Sequence, residues 1–127
     1  MKDRQIRGQK IIKKMFGDLK DDSRPAFRDM GVLTHDYLFG EVWSRPGLAL
    51  RDRSLVTVSI LVATGKEKQL RTHLTGALSN GLTPDELKEV MMHAAHYSGW
   101  PSGINGLRVL QELVEEKGLT FSVDQES

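Results

Sequence analysis

One nonapeptide, Leu55-Val56-Thr57-Val58-Ser59-Ile60-Leu61-Val62-Ala63, separates an all-helical reading of this chain from a mixed one. Its β-branched residues would suit a buried strand, where branched side chains pack well on a pleated surface. The flanks argue for a helix instead. Asp52 or Ser54 stands where an N-cap belongs, and Gly65 follows just past the last apolar position. The whole unit then runs about 12 residues, too long for an ordinary strand and right for a helix. It is expected to be a buried central helix.

Outward from this segment the signals are helical, and no strand pattern or internal repeat stands out. Upstream, Ile6, Ile11, Ile12, Met15 and Phe16 give an amphipathic first helix that Gly17 ends. Pro25 to Trp43 reads as one or two helices, locally weakened by Gly31 and Gly40. Its core candidates at helical spacing are Phe27, Met30, Val32, Leu33, Tyr37, Leu38 and Val42. Arg45-Pro46-Gly47 is a loop. Downstream, Lys66 to Asn80 forms a helix stopped by Asn80-Gly81. Thr83-Pro84-Asp85-Glu86 is a helix start in which Thr83 caps, Pro84 takes the first turn and Glu86 completes a capping box. That helix ends near Ser98-Gly99. Pro101 opens a last helix through Lys117, which Gly118 closes, and residues 119–127 read as a frayed tail. The expectation is an all-α fold of about six helices in a single domain spanning 1–127.

Composition removes several classes of function. A formal net charge of +1 gives no pull toward nucleic acid or an anionic membrane. The absence of cysteine excludes disulfides, thiolate metal sites and thiol redox chemistry. No apolar run approaches the roughly 20 residues that span a bilayer. The basic start, MKDRQIRGQKIIKKMFGD, shows neither an apolar signal core nor a small-residue cleavage site, so the cytoplasm is the expected location. Asp3 and Asp18 count against an organelle-targeting segment.

The chemistry-bearing residues sit at the borders of the helical stripes. At about 100° per residue, Leu70, Leu74, Ala77 and Leu78 form the apolar face of the fourth long helix, with His73 on its edge. Such a ring is either a core histidine satisfied by one hydrogen bond or a half-buried group with a tuned proton affinity. On the next helix Leu87, Val90, Met91 and Ala94 make the stripe. His93 lies at the border between core and outside, and His96 faces solvent or a partner subunit. Glu89, His93 and His96, spaced i, i+4 and i+7, carry the pattern of a metal site, although that pattern is common by chance and no further ligand lies beside it. Arg45 lies in an extended loop where a guanidinium can grip a carboxylate, while Arg51 and Arg53 read as solvated or capping charges. Trp43 and Trp100 read as core or interface area.

These residues sit in stretches that look familiar together. GEVWSRPGL (residues 40–48), RSLVTVSILVATGKEKQLRTHLTGALSNGLTPDELKEV (residues 53–90) and HAAHYSGWP (residues 93–101) resemble the 4-carboxymuconolactone decarboxylase family, and the likeness runs from about Arg7 to Lys117. The resemblance implies the helical fold that the family shares with alkylhydroperoxidase-type enzymes. It also implies a homo-oligomer, trimer or hexamer, with sites near subunit contacts. Met91 or Met92, Tyr97 and Trp100 would suit such contacts. Glu41, Arg45, His73 and His93 stand at matching motif positions. The related peroxidases carry Cys-x-x-Cys before the histidine that His73 matches. Here Lys66 and Gln69 occupy those places, which excludes the peroxidase reading. After Pro101 the run Ser-Gly-Ile-Asn departs toward relatives of unassigned activity.

The activity so implied is decarboxylation of 4-carboxymuconolactone, a dicarboxylate lactone, to 3-oxoadipate enol-lactone in the protocatechuate branch of aromatic-acid degradation. The lactone itself is the electron sink, so no cofactor and no metal are called for. Three groups are needed: a cation for the spectator carboxylate, a donor for the developing oxyanion, and an acid for carbon protonation. Arg45 suits the first role, and either histidine suits the second or third. The assignment adopted has His73 as central acid, His93 with Arg45 holding the substrate, and Glu41 orienting a histidine or relaying a proton. An oligomer of the same fold that acts on or binds another small carboxylated lactone remains the alternative.

Overall fold

The computed structural model describes residues 2–18 and 20–122. All of the regular structure among them is helical, with no strand. The chain divides into two compact units, Met1–Arg53 and Ser54–Ser127.

In the first unit, helix α1 (Lys2–Phe16) ends where Gly17 turns the chain at a φ of 65°. A single 3-10 turn, Pro25–Phe27, leads into the short α2 (Arg28–Val32). This continues directly into a π-helical segment, Leu33–Val42, closed by a five-residue-back bond from Trp43 N to Leu38 O of 2.8 Å. Within Leu33–Val42 the π-helical turns displace the expected core stripe. Wider turns rotate each side chain away from where a 3.6-residue period would place it. Phe27, Met30, Val32, Leu33, Tyr37 and Leu38 are all exposed, Met30 by 63%. The buried residues are Phe39, Gly40 and Trp43. Phe39 stacks on Trp43 at 5.4 Å and meets Phe16 edge-on at 5.8 Å. Met15, Ile11, Ile12 and Leu50 complete this small core.

Two glycines allow α1 and the π-helical segment to touch through their backbones. A Cβ on Gly8 would collide with the His35 carbonyl oxygen, and one on Gly40 with the Arg4 carbonyl oxygen. Any side chain at either position would push the two helices apart.

The second unit is built on α3 (Leu50–Ala63, which starts in the first unit), α4 (Glu67–Ser79), α5 (Pro84–Ser98) and α6 (Trp100–Glu116). The nonapeptide is helical, as its flanks indicate, but α3 begins at Leu50, earlier than either expected cap. Ser54 is a fully buried residue of the helix body, and its hydroxyl accepts a 2.9 Å bond from Asn80 Nδ2. Nor is α3 buried all round. Ser54, Val58 and Val62 face inward, while Val56 and Ile60 are about half exposed. Leu70, Leu74, Leu87, Met91 and Leu110 are fully buried around them, each stabilising by about 1.5–3 kcal/mol. Thr83 and Glu86 form the expected capping box. The chain does not run free after Gly118. Phe121 packs on the core, and Ser122 donates from its amide and hydroxyl to Asp85. The rest of the expected tail, 123–127, lies outside the described residues.

Gly40→Ala is expected to cost about 1–3 kcal/mol, the scale of overpacking a close contact, because a backbone carbonyl has no easy way to yield. Gly31→Ala, with nothing near its added Cβ, should be neutral or stabilise by up to about 1 kcal/mol. Urea unfolding of the two variants checks the contrast. Equal midpoints would refute the close approach.

Candidate active site

Glu41 and Arg45 lie in the first unit, His73 and His93 in the second. The C-terminal end of the π-helical segment positions the first pair. Glu41 is partly exposed and accepts from Arg4 Nη1 at 2.9 Å, so its partner is Arg4 and not Arg45. The adjacent Gly40 carbonyl accepts from both Arg7 Nε (3.0 Å) and Ser44 Oγ (2.6 Å). Arg45 follows in the loop, exposed. The loop is strapped by Arg53, whose guanidinium donates to the carbonyls of Arg45 (3.0 Å) and Leu48 (3.1 Å). Arg53 is therefore structural, and its guanidinium holds loop carbonyls where a solvated or capping charge was expected. Arg45 lines an open groove of about 390 Å³ together with Arg7 and Lys10 of α1. The sequence reading missed both of those cations. Their i, i+3 spacing on one face of α1 was the signal available.

In the second unit His73 is half-buried on α4, with its Nδ1 shielded from solvent. Burial holds its pKa below the ordinary 6.5, because a buried imidazolium loses hydration. His93 is exposed on α5 and not at the core border. The reason is the inward face of α5, which runs through Leu87, Met91 and Ala95 and so turns His93 outward. Its ring packs on Tyr97 at 5.1 Å. His96 donates from Nδ1 to the Met92 carbonyl at 2.8 Å and meets Trp100 edge-on at 5.3 Å. A groove of about 840 Å³ is lined by α3 and α5, with Glu89, His93, His96 and the phenol of Tyr97 among its polar groups and Leu55 and Val90 among its apolar ones. His73 does not line it. Among the described residues no three His, Asp or Glu side chains group as metal ligands, so Glu89, His93 and His96 do not converge into a cage.

The cation in a strapped loop, the half-buried histidine and the exposed histidine are accompanied by clear kinship. The sequence pattern that defines the carboxymuconolactone decarboxylase family matches residues 29–112. The chain belongs to this family.

The chain is 36% identical over 115 residues to a 4-carboxymuconolactone decarboxylase of Acinetobacter baylyi, covering 91% of this chain and 83% of that protein. It is 35% identical over 95 residues to a nitrosuccinic acid decarboxylase of Metarhizium robertsii, covering 75% and 66% respectively. An uncharacterised 15.0 kDa protein of Paracoccus denitrificans is 30% identical over 62% of the chain. The two named relatives are decarboxylases, that is carboxy-lyases. No helix among the described residues is long and apolar enough to cross a membrane.

The lowered pKa of His73 makes the stability of this family member depend on pH. Between the folded value and 6.5 the unfolded chain binds more protons than the folded one. The contribution is therefore complete above pH 6.5, is lost on acidification toward the folded value, and levels off below it. His73→Gln should flatten this segment of the stability curve. Urea midpoints at about pH 7.5 and about pH 5.5 measure it, and the same drop in both proteins would assign the effect elsewhere.

Proposed function

We propose that the protein decarboxylates 4-carboxymuconolactone to 3-oxoadipate enol-lactone without a cofactor, in the protocatechuate branch of aromatic-acid breakdown. The observation that carries this reading is His73, a half-buried imidazole whose proton affinity burial has altered, in a chain similar along 91% of its length to such an enzyme. Titratable groups whose proton affinity the fold has shifted concentrate at functional sites.

The roles follow from charge flow. Arg45 grips the carboxylate that is retained. The C–CO2 bond breaks, its electron pair moves through the ring double bond into the lactone carbonyl, and an oxyanion develops there. The double bond moves to the carbon that lost CO2, and the ring carbon beside the lactone carbonyl takes one proton, which gives the enol-lactone. His73 supplies that proton as central acid, because burial makes its imidazolium a stronger acid than one in water. His93 contributes to substrate holding, and Glu41, fixed by Arg4, orients the end of the π-helical segment from which Arg45 extends.

The similarity to a nitrosuccinic acid decarboxylase supports a second reading, in which the same groups remove CO2 from another small acid whose electron sink lies beside the leaving carboxylate. Self-association into a trimer or hexamer belongs to the proposal as well. Tyr97 and Trp100, 82% and 61% exposed, stand with Met92 and Ile104 as exposed apolar side chains of α5 and α6. Surfaces of this kind mark protein contacts.

On freshly prepared 4-carboxymuconolactone, His73→Gln should lower kcat by about 10²-fold or more, followed by ultraviolet absorbance. In the wild type, kcat should fall with rising pH through a higher apparent pKa than kcat/KM does, because a bound dianion raises the pKa of a neighbouring imidazole. An unchanged kcat in the variant would remove His73 from the chemistry. Light scattering should give a mass several times that of the 14.3 kDa chain, and Tyr97→Glu with Trp100→Glu should reduce it. A monomeric wild type would refute the assembly.

A further inference from the structure

The groove on the first unit holds more positive charge than one carboxylate needs. Arg7 and Lys10 rise from the same face of α1, and Arg45 comes from the loop after the π-helical segment. Ile11, Trp43 and Leu48 line the same groove as these three cations, and none of the lining residues is acidic. The nearby carboxylate, Glu41, is taken by Arg4. Among the described residues, no ion pair involves Arg7, Lys10 or Arg45.

This arrangement is more ordered than a chance run of surface charge. Arg7 is held through Nε by the Gly40 carbonyl at 3.0 Å, so part of its side-chain entropy is already lost before any ligand arrives. The Gly8 and Gly40 contacts bring α1 close enough for that bond to form. Arg45 is carried by a loop that Arg53 straps at two carbonyls. A groove of about 390 Å³ accommodates a single small ring or a short acyclic acid.

We infer that this groove is a dicarboxylate site in which Arg45 takes one carboxylate and Arg7 with Lys10 takes the second. Arg7 and Lys10 are thus specificity residues that select doubly charged substrates over singly charged ones. The inference rests on the proposed function for Arg45 as substrate anchor, and extends it to two residues and a substrate charge.

The test uses succinate and butyrate, acids of equal chain length that differ by one carboxylate. Binding is read from the indole N–H resonance of Trp43, which lines the groove. The protein has two tryptophans, so Trp100→Phe assigns the signal. Succinate should shift this resonance at concentrations at which butyrate does not. Arg7→Gln with Lys10→Gln should weaken succinate about tenfold, the combined scale of two partly exposed charge contacts. The same double variant should raise KM for 4-carboxymuconolactone about tenfold without lowering kcat, because the carboxylate these two cations hold is the one that departs. Lys10→Gln alone keeps the Arg7–Gly40 bond, and should show part of both effects with an unaltered unfolding midpoint. If the lactone is not turned over but succinate binds and the double variant loses it, the dicarboxylate site stands and the assigned substrate falls. Equal affinity for succinate and butyrate, or a double variant with wild-type succinate affinity, would overturn the site.

Discussion

The carbonyl oxygens of Arg4 and His35 lie where side chains on Gly40 and Gly8 would have to go. The whole first unit follows from that contact. Bringing two helix backbones together leaves no room for slippage, so the register between α1 and the π-helical segment is set by two absent methyl groups. In that register Arg4 reaches Glu41 and Arg7 reaches the Gly40 carbonyl. The π-helical end matters for the same reason. Carbonyls at a helix end lack an intrahelical donor, and that of Gly40 finds two side-chain donors, Ser44 and Arg7. A loop leaving such a tethered end presents Arg45 from a defined place.

The second unit distributes two histidines between two environments by helix rotation. α4 buries Leu70, Leu74 and Ala77, leaving His73 at the edge where its ring is half covered. α5 buries Leu87, Met91 and Ala95, which carries His93 to the outside beside Tyr97. The proton affinity of His73 is then a property of the core that surrounds it. The same leucines that stabilise the unit make its imidazolium costly.

Much of this was legible from residue order. The α4, α5 and α6 boundaries follow from local chemistry: a Thr83 cap with its Glu86 return bond, Pro84 in the first turn, and glycines at positive φ after three helix ends. Those signals act over a few residues and need no tertiary context. The segment 25–43 was readable as helix but not as to which face is buried, because a π-helical turn obeys a different period from the one assumed. Its exposed Leu33, Tyr37 and Leu38 show the cost of that assumption. The α3 start was misplaced for a similar reason. Ser54 has the chemistry of a cap, but it spends its hydroxyl on Asn80, 26 residues away.

The sequence by itself determined the helical class, the family and the identity of Glu41, Arg45, His73 and His93 as candidates, since caps, periodicity and motif spacing are written in neighbouring residues. The tertiary structure alone decided that Glu41 pairs with Arg4, that burial lowers the pKa of His73, and that Arg7 and Lys10 share a groove with Arg45. Each of these depends on residues far apart in the chain or on water excluded by packing. Such contacts leave no periodic trace in a single sequence.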